Sequence, residues 1–145
     1  MPIGVPTQRG SFGLATQAGT TVFSPASNCT AGVKLILSTC GQNQSKVISS
    51  VADTKGNTWV VNATANDGTR GLSFASTDQG GGALTTGDTV TITWSTASTA
   101  TMRGVLEEQS GLLSGSGAFD KSASGSGTGT ALSVGPTGTL AQADE

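Results

Sequence analysis

Apolar side chains return at every second residue in several short stretches of this sequence, and Asp, Asn and Gly separate the stretches. The clearest is Thr89-Val-Thr-Ile-Thr-Trp94, with Val90, Ile92 and Trp94 on one face and three threonines on the other. A two-residue period marks a strand with one face in a core and the other towards water. Residues 33–40 repeat it: Val33, Leu35, Leu37 and Thr39 share one face, and Lys34, Ile36, Ser38 and Cys40 share the other. Residues 20–23, 47–51, 58–62, 71–75 and 101–109 are predicted as further strands. Asp53-Thr-Lys-Gly-Asn57 reads as a hairpin turn between 47–51 and 58–62, with Gly56 or Asn57 free to adopt a left-handed backbone, and Asn66-Asp-Gly68 reads as another turn. The offset between Met102 and Val105 predicts a bulge near Gly104, with a helix over 102–109 as the competing reading. No helical period runs through residues 47–94. The pattern predicts an all-β fold, an antiparallel β-sandwich of jelly-roll or immunoglobulin-like type.

At 145 residues the chain is long enough for one domain. Residues 1–20, rich in Gly, Pro, Thr and Gln, are expected to form an extended N-terminal arm in which Phe12 and Leu14 join Ile3 and Val5 as the sizeable apolar anchors. Residues 21–145 are expected to form the sandwich, interrupted by a Gly/Ser-rich loop at 111–130. Residues 131–134 and 137–140 are weak strand candidates.

Composition narrows the chemistry. Apolar residues make up 34% of the chain and aromatics 4%, with 22 glycines. The core should therefore be thin, with partners or self-assembly adding stability. Charged residues are 11%, the net charge is −2, and Arg9, Lys34, Lys46, Lys55, Arg70, Arg103 and Lys121 are scattered. Without a basic stripe a nucleic-acid partner is not expected. The longest apolar run, Leu35-Ile-Leu37, is too short for a membrane helix, and residues 1–10 show no secretory signal. There is no His, which removes Ser-His and Cys-His nucleophiles and His-ligated zinc. Glu107 and Glu108 would point to opposite faces of a strand. Asp53, Asp67, Asp78 and Asp88 sit where turns need a backbone cap and lack calcium-loop spacing. No catalytic, cofactor or metal residue is expected, a small-molecule ligand is not expected, and the chain does not read as an enzyme. Cys29 and Cys40 read as two buried or half-buried free thiols. A disulfide would require the chain to turn back between them. Trp59 and Trp94 alternate in phase with valines, which assigns them to the core rather than to sugar stacking.

Four segments taken together resemble a family of bacteriophage virion proteins. They are Val51-Ala-Asp-Thr-Lys-Gly-Asn-Thr-Trp59, Arg70-Gly-Leu-Ser-Phe74, Leu84-Thr-Thr-Gly-Asp-Thr-Val-Thr-Ile-Thr-Trp94 and Val105-Leu-Glu-Glu-Gln-Ser-Gly-Leu112. The resemblance covers roughly residues 30–145, and its specificity lies in the order and spacing of the segments. It implies a β-sandwich module with a structural role, expected to be a capsid decoration (cement) protein on the outside of the head shell, made in the host cytoplasm. The implied partners are the major capsid protein and copies of the chain itself, with a homotrimer expected at local three-fold points. In similar sequences Gly138-Thr-Leu-Ala-Gln-Ala-Asp-Glu145 leads into a further apolar strand, so another subunit or further residues would complete the sandwich. Tail or surface adhesin modules that bind host glycan are the alternative within the same resemblance; they should carry exposed aromatics on their loops. Phe12 and Leu14 of the arm, and Leu112, Leu113 and Phe119 around the Gly-rich loop, are the interface candidates.

Overall fold

The computed structural model describes residues 3–17, 19–42, 46–97, 99–112 and 121–124. It contains β1 (Thr7–Gln17), β2 (Thr20–Phe23), β3 (Lys34–Gln42), β4 (Ile48–Asp53), β5 (Val60–Asn66), β6 (Arg70–Thr77), β7 (Val90–Trp94) and β8 (Ala100–Gln109), and no helix among the described residues. They form two antiparallel sheets, a five-stranded one in the order β1-β8-β3-β6-β5 and a three-stranded one in the order β2-β7-β4. β1 pairs with β8, β2 with β7 and β3 with β6, while β4 leads directly into β5. β5 does not pair with β4 but lies beside β6 at the edge of the larger sheet. The sheets face each other across a core of Phe23, Leu35, Leu37, Ile48, Leu84, Val90, Ile92, Trp94, Met102 and Leu106, with Phe12, Val51, Trp59 and Val61 packed at its margin. The β-sandwich read from the alternation is the observed fold.

Four sequence expectations change in the structure. Residues 53–57 do turn, with Gly56 at φ +72° and its N–H donating to Asp53 O at 3.2 Å. The turn is a corner between sheets rather than a hairpin, since β4 pairs with β7 and β5 pairs with β6. Asp53 shapes it: its carboxylate accepts from Lys55 N (2.9 Å), Asn57 N (3.1 Å), Asn57 Nδ2 (3.0 Å) and Trp59 Nε1 (2.7 Å). β8 carries no bulge near Gly104 and keeps an unbroken register with β3; the irregularities lie on the neighbouring β1, between Gln8 and Gly10 and between Leu14 and Gln17. Gly104 points inward because Phe12 fills its place; a Cβ there would lie 2.3 Å from Phe12 Cε1. Cys40 is exposed rather than half-buried, while Cys29 is buried, and both thiols are free. Most of the N-terminal segment expected as an arm is β1, laid along β8 of its own subunit from Thr7 to Gln17. The weak strand candidates at 131–134 and 137–140 fall outside the described residues.

The Gly104 contact gives a test. Gly104→Ala should destabilise the fold by about 1–3 kcal/mol in urea denaturation, because a methyl group must displace a packed ring. Phe12→Leu in the Gly104→Ala background should recover part of that loss, whereas Phe12→Leu alone should be destabilising.

Candidate interaction surface

At one end of the sandwich the loops at residues 24–33, 54–59, 78–89 and 110–112 come together with the start of β1. Their polar groups are largely occupied by one another. Glu108 follows Met102, Gly104 and Leu106 on the inward phase of β8, so its carboxylate enters the sandwich. The bulge in β1 turns Arg9 towards it, and the two form an ion pair with side chains 20% and 10% exposed. Thr30 N (2.8 Å) and Thr30 Oγ1 (3.0 Å) also donate to Glu108. These partners hold Glu108 below the usual carboxylate range, the Arg9 hydrogen bond contributing most and burial opposing it. Arg9 O accepts from Ala26 N at 2.7 Å, and Gln79 Nε2 donates to Thr30 O (2.8 Å) and Val33 O (2.6 Å). Asp88 accepts from Thr85 N (2.8 Å), Thr85 Oγ1 (2.7 Å) and Thr54 Oγ1 (2.9 Å), chiefly through which its pKa falls to about 2. Lys34 pairs with Asp78, and Lys55 Nζ lies 3.6 Å from Asp88.

This arrangement orders loops. Burial, reinforced by the Glu108 charge, pushes the Cys29 thiol up to about 11, far from a thiolate nucleophile. Among the described residues no three His, Cys, Asp or Glu side chains gather as a metal site. Lys46, at the opposite end, is fully buried, and burial lowers its pKa; the sequence showed it only as one of several scattered lysines. A shallow open depression beside the loop end is lined by Val33, Lys34, Gln109 and Leu112.

The apolar surface lies elsewhere. On β6 the small residues Gly71, Ser73, Ala75 and Thr77 face the core, and Leu72 and Phe74 face out, 51% and 46% exposed. They share the outer face of the larger sheet with Val60, exposed, and with half-buried Ile36, Ala63, Ala65 and Val105. A second apolar feature is the segment before β1. Ile3 and Val5 are 68% and 87% exposed although the backbone between them is fixed: Gly4 N donates to Ser110 O at 3.0 Å, and Gln109 Nε2 donates to Gly4 O.

The residues singled out as interface candidates are dispersed. Phe12 points inward, its ring 5.1 Å from that of Phe23. The backbone of Leu14 pairs with Met102. Leu112 is half-buried at the shallow depression, and Leu113 and Phe119 fall outside the described residues. The strand expected over residues 71–75 contains Leu72 and Phe74, and the alternation alone does not say which of its faces turns outward. The alternation of these two residues with Gly71, Ser73 and Ala75 was the available signal. Comparisons with protein-family models, with curated proteins and with solved structures each gave no match for this chain.

Two measurements test the loop end. Both depressed carboxylates stabilise the fold above the ordinary carboxylate range, and that contribution disappears as pH falls through their folded-state values. Stability should therefore decline from about pH 4 down towards about pH 2, and Glu108→Gln with Asp88→Asn should flatten the decline. Glu108→Ala and Arg9→Ala should each cost about 2–3 kcal/mol in urea, and the double variant should cost less than their sum, because each single change strands a partly buried charge. Separately, a thiol reagent should modify only one of the two cysteines in the native protein, and Cys29 only after unfolding.

Proposed function

We propose that this protein is a structural component of a bacteriophage particle, a decoration protein that binds the outside of the head shell. The observation that carries the reading is the set of large apolar side chains held outward on fixed backbone. Leu72, Phe74 and Val60 stand on a sheet, and Ile3 and Val5 stand on a segment tied to β8. Apolar patches of this kind mark protein contacts. On an ordered backbone they can be buried with little loss of chain entropy, which favours a clamp working through contact area. The four segments that resemble virion proteins point the same way. The major capsid protein and further copies of this chain are the partners the reading calls for, and the capsid exterior is its location. Among the described loop residues the only large aromatic side chain is Trp59, half-buried and hydrogen-bonded to Asp53, so none of those residues offers an open stacking platform for a glycan.

Purified protein should co-sediment with undecorated capsids at a fixed, saturable ratio, and Ile3→Asp with Val5→Asp should weaken the binding without changing the circular dichroism spectrum. Absence of binding to capsids together with binding to host cell wall would replace decoration by the adhesin reading.

A further inference from the structure

The outward face of the five-stranded sheet has an order that the strand register makes explicit. Three rows of side chains cross it. One row is Glu107, Ile36, Ser76 and Val60; the middle row is Val105, Ser38, Phe74 and Ala63; the third is Arg103, Cys40, Leu72 and Ala65. On β8, β3 and β6 the outer rows stand two residues to either side of the middle one. The two charges on these rows, Glu107 and Arg103, thus lie at equal distances from Val105 and on opposite sides of it.

Consider a second copy turned by 180° about an axis that lies between the two faces and runs along the middle row. Each strand then lies antiparallel to its own equivalent, and the first row of one copy meets the third row of the other. Glu107 meets the other copy's Arg103, Ile36 meets Cys40, Ser76 meets Leu72 and Val60 meets Ala65. Opposite charges come together twice, and each larger apolar side chain lies over a smaller one. Val105, Ser38 and Phe74 lie on the axis and meet themselves. A two-fold axis along the strands would leave Glu107 and Arg103 facing neutral side chains or their own kind. Such a self-matching patch is what an isologous dimer requires, the sheets would pack in the aligned manner of sandwich layers, and the two charge pairs would fix the orientation. We infer that this sheet face is the interface of a homodimer built on that two-fold axis. The inference concerns the free protein and holds or fails independently of the capsid.

Sedimentation velocity and light scattering from about 1 to about 100 µM should show a monomer–dimer equilibrium. Phe74→Asp should give a monomer with an unchanged circular dichroism spectrum. Arg103→Glu and Glu107→Arg should each weaken the dimer about tenfold, and the double reversal should restore it. In a Cys40→Ser background, Ser38→Cys should form an intermolecular disulfide on mild oxidation, because Ser38 lies on the axis. A monomer at every concentration overturns the inference, as does a dimer that tolerates Phe74→Asp and both charge reversals. A monomer whose melting temperature falls on Phe74→Asp would assign the cover to the chain's own remaining residues. Should Phe74→Asp fail to fold, the two single reversals and their combination decide.

Discussion

A carboxylate on the inward phase of a central strand dictates how one whole end of this molecule is built. β8 runs between β1 and β3, and its alternate residues Met102, Gly104, Leu106 and Glu108 all face the other sheet. The first three fill or admit apolar packing. Glu108 would be a buried charge without compensation, which costs several kcal/mol. The extra residue in β1 supplies the compensation by re-aiming Arg9. The same residue's carbonyl then receives Ala26 N, Thr30 binds the carboxylate, and Gln79 binds Thr30 and Val33 while its Oε1 accepts from Leu84 N at 3.2 Å. Loops far apart in sequence are thereby ordered around a single ion pair. A buried pair of this kind is weak evidence for extra stability but a strong constraint on register, since a slip of β1 by one residue would turn Arg9 away from Glu108.

That economy suits a chain with few large apolar residues. Where bulk is missing, small residues let backbone and side chains come close enough for specific contacts. Phe12 occupies the space over Gly104. Gly71 lies so near the chain at Lys46 that a Cβ would be 1.7 Å from Lys46 O, and Ser73 Oγ accepts a hydrogen bond from Ile48 N at 2.9 Å, joining the two sheets. Thr21 accepts from Trp94 Nε1 at 2.8 Å within the core. Polar contacts with defined geometry hold the layers in register, and the apolar centre supplies the remaining cohesion.

The sequence made the strands legible because alternation is local. The two faces of β3 and the apolar face of β7 follow from the alternation, and Trp59 and Trp94 fall in or against the core as their phase implies. What it did not carry was the partner of each strand. Asp53-Thr-Lys-Gly-Asn57 has the chemistry of a tight turn, but a turn does not reveal whether the next strand pairs with the last or crosses to the other sheet. Met102 and Val105 suggested a bulge because Gly104 contributes no side chain to the count, and only the three-dimensional contact shows that Phe12 supplies the missing volume. The loop-end cluster was equally hidden: Arg9, Thr30 and Glu108 are separated by up to 99 residues, and no spacing rule joins them. The aspartates at turns were the exception, because Asp53, Asp67 and Asp88 bind backbone N–H groups a few residues away.

β6 shows why the exposed apolar face belongs to the architecture. Its inner positions must be small. Gly71 accommodates the backbone at Lys46, Ser73 bonds to Ile48, and Ala75 sits between Leu37 and Val61 in neighbouring strands. A strand flanked on both sides, by β3 and by β5, still needs side chains that favour the extended backbone, and with the inner face restricted the larger residues can stand only outside. Leu72 and Phe74 therefore reverse the usual distribution of bulk across a sandwich strand. In an isolated domain the reversal would expose apolar area without return. Buried against another surface, the same side chains would contribute on the order of 25 cal/mol for each Å² removed from water. A close inner fit between the sheets and an adhesive outer face are thus two consequences of one strand's sequence.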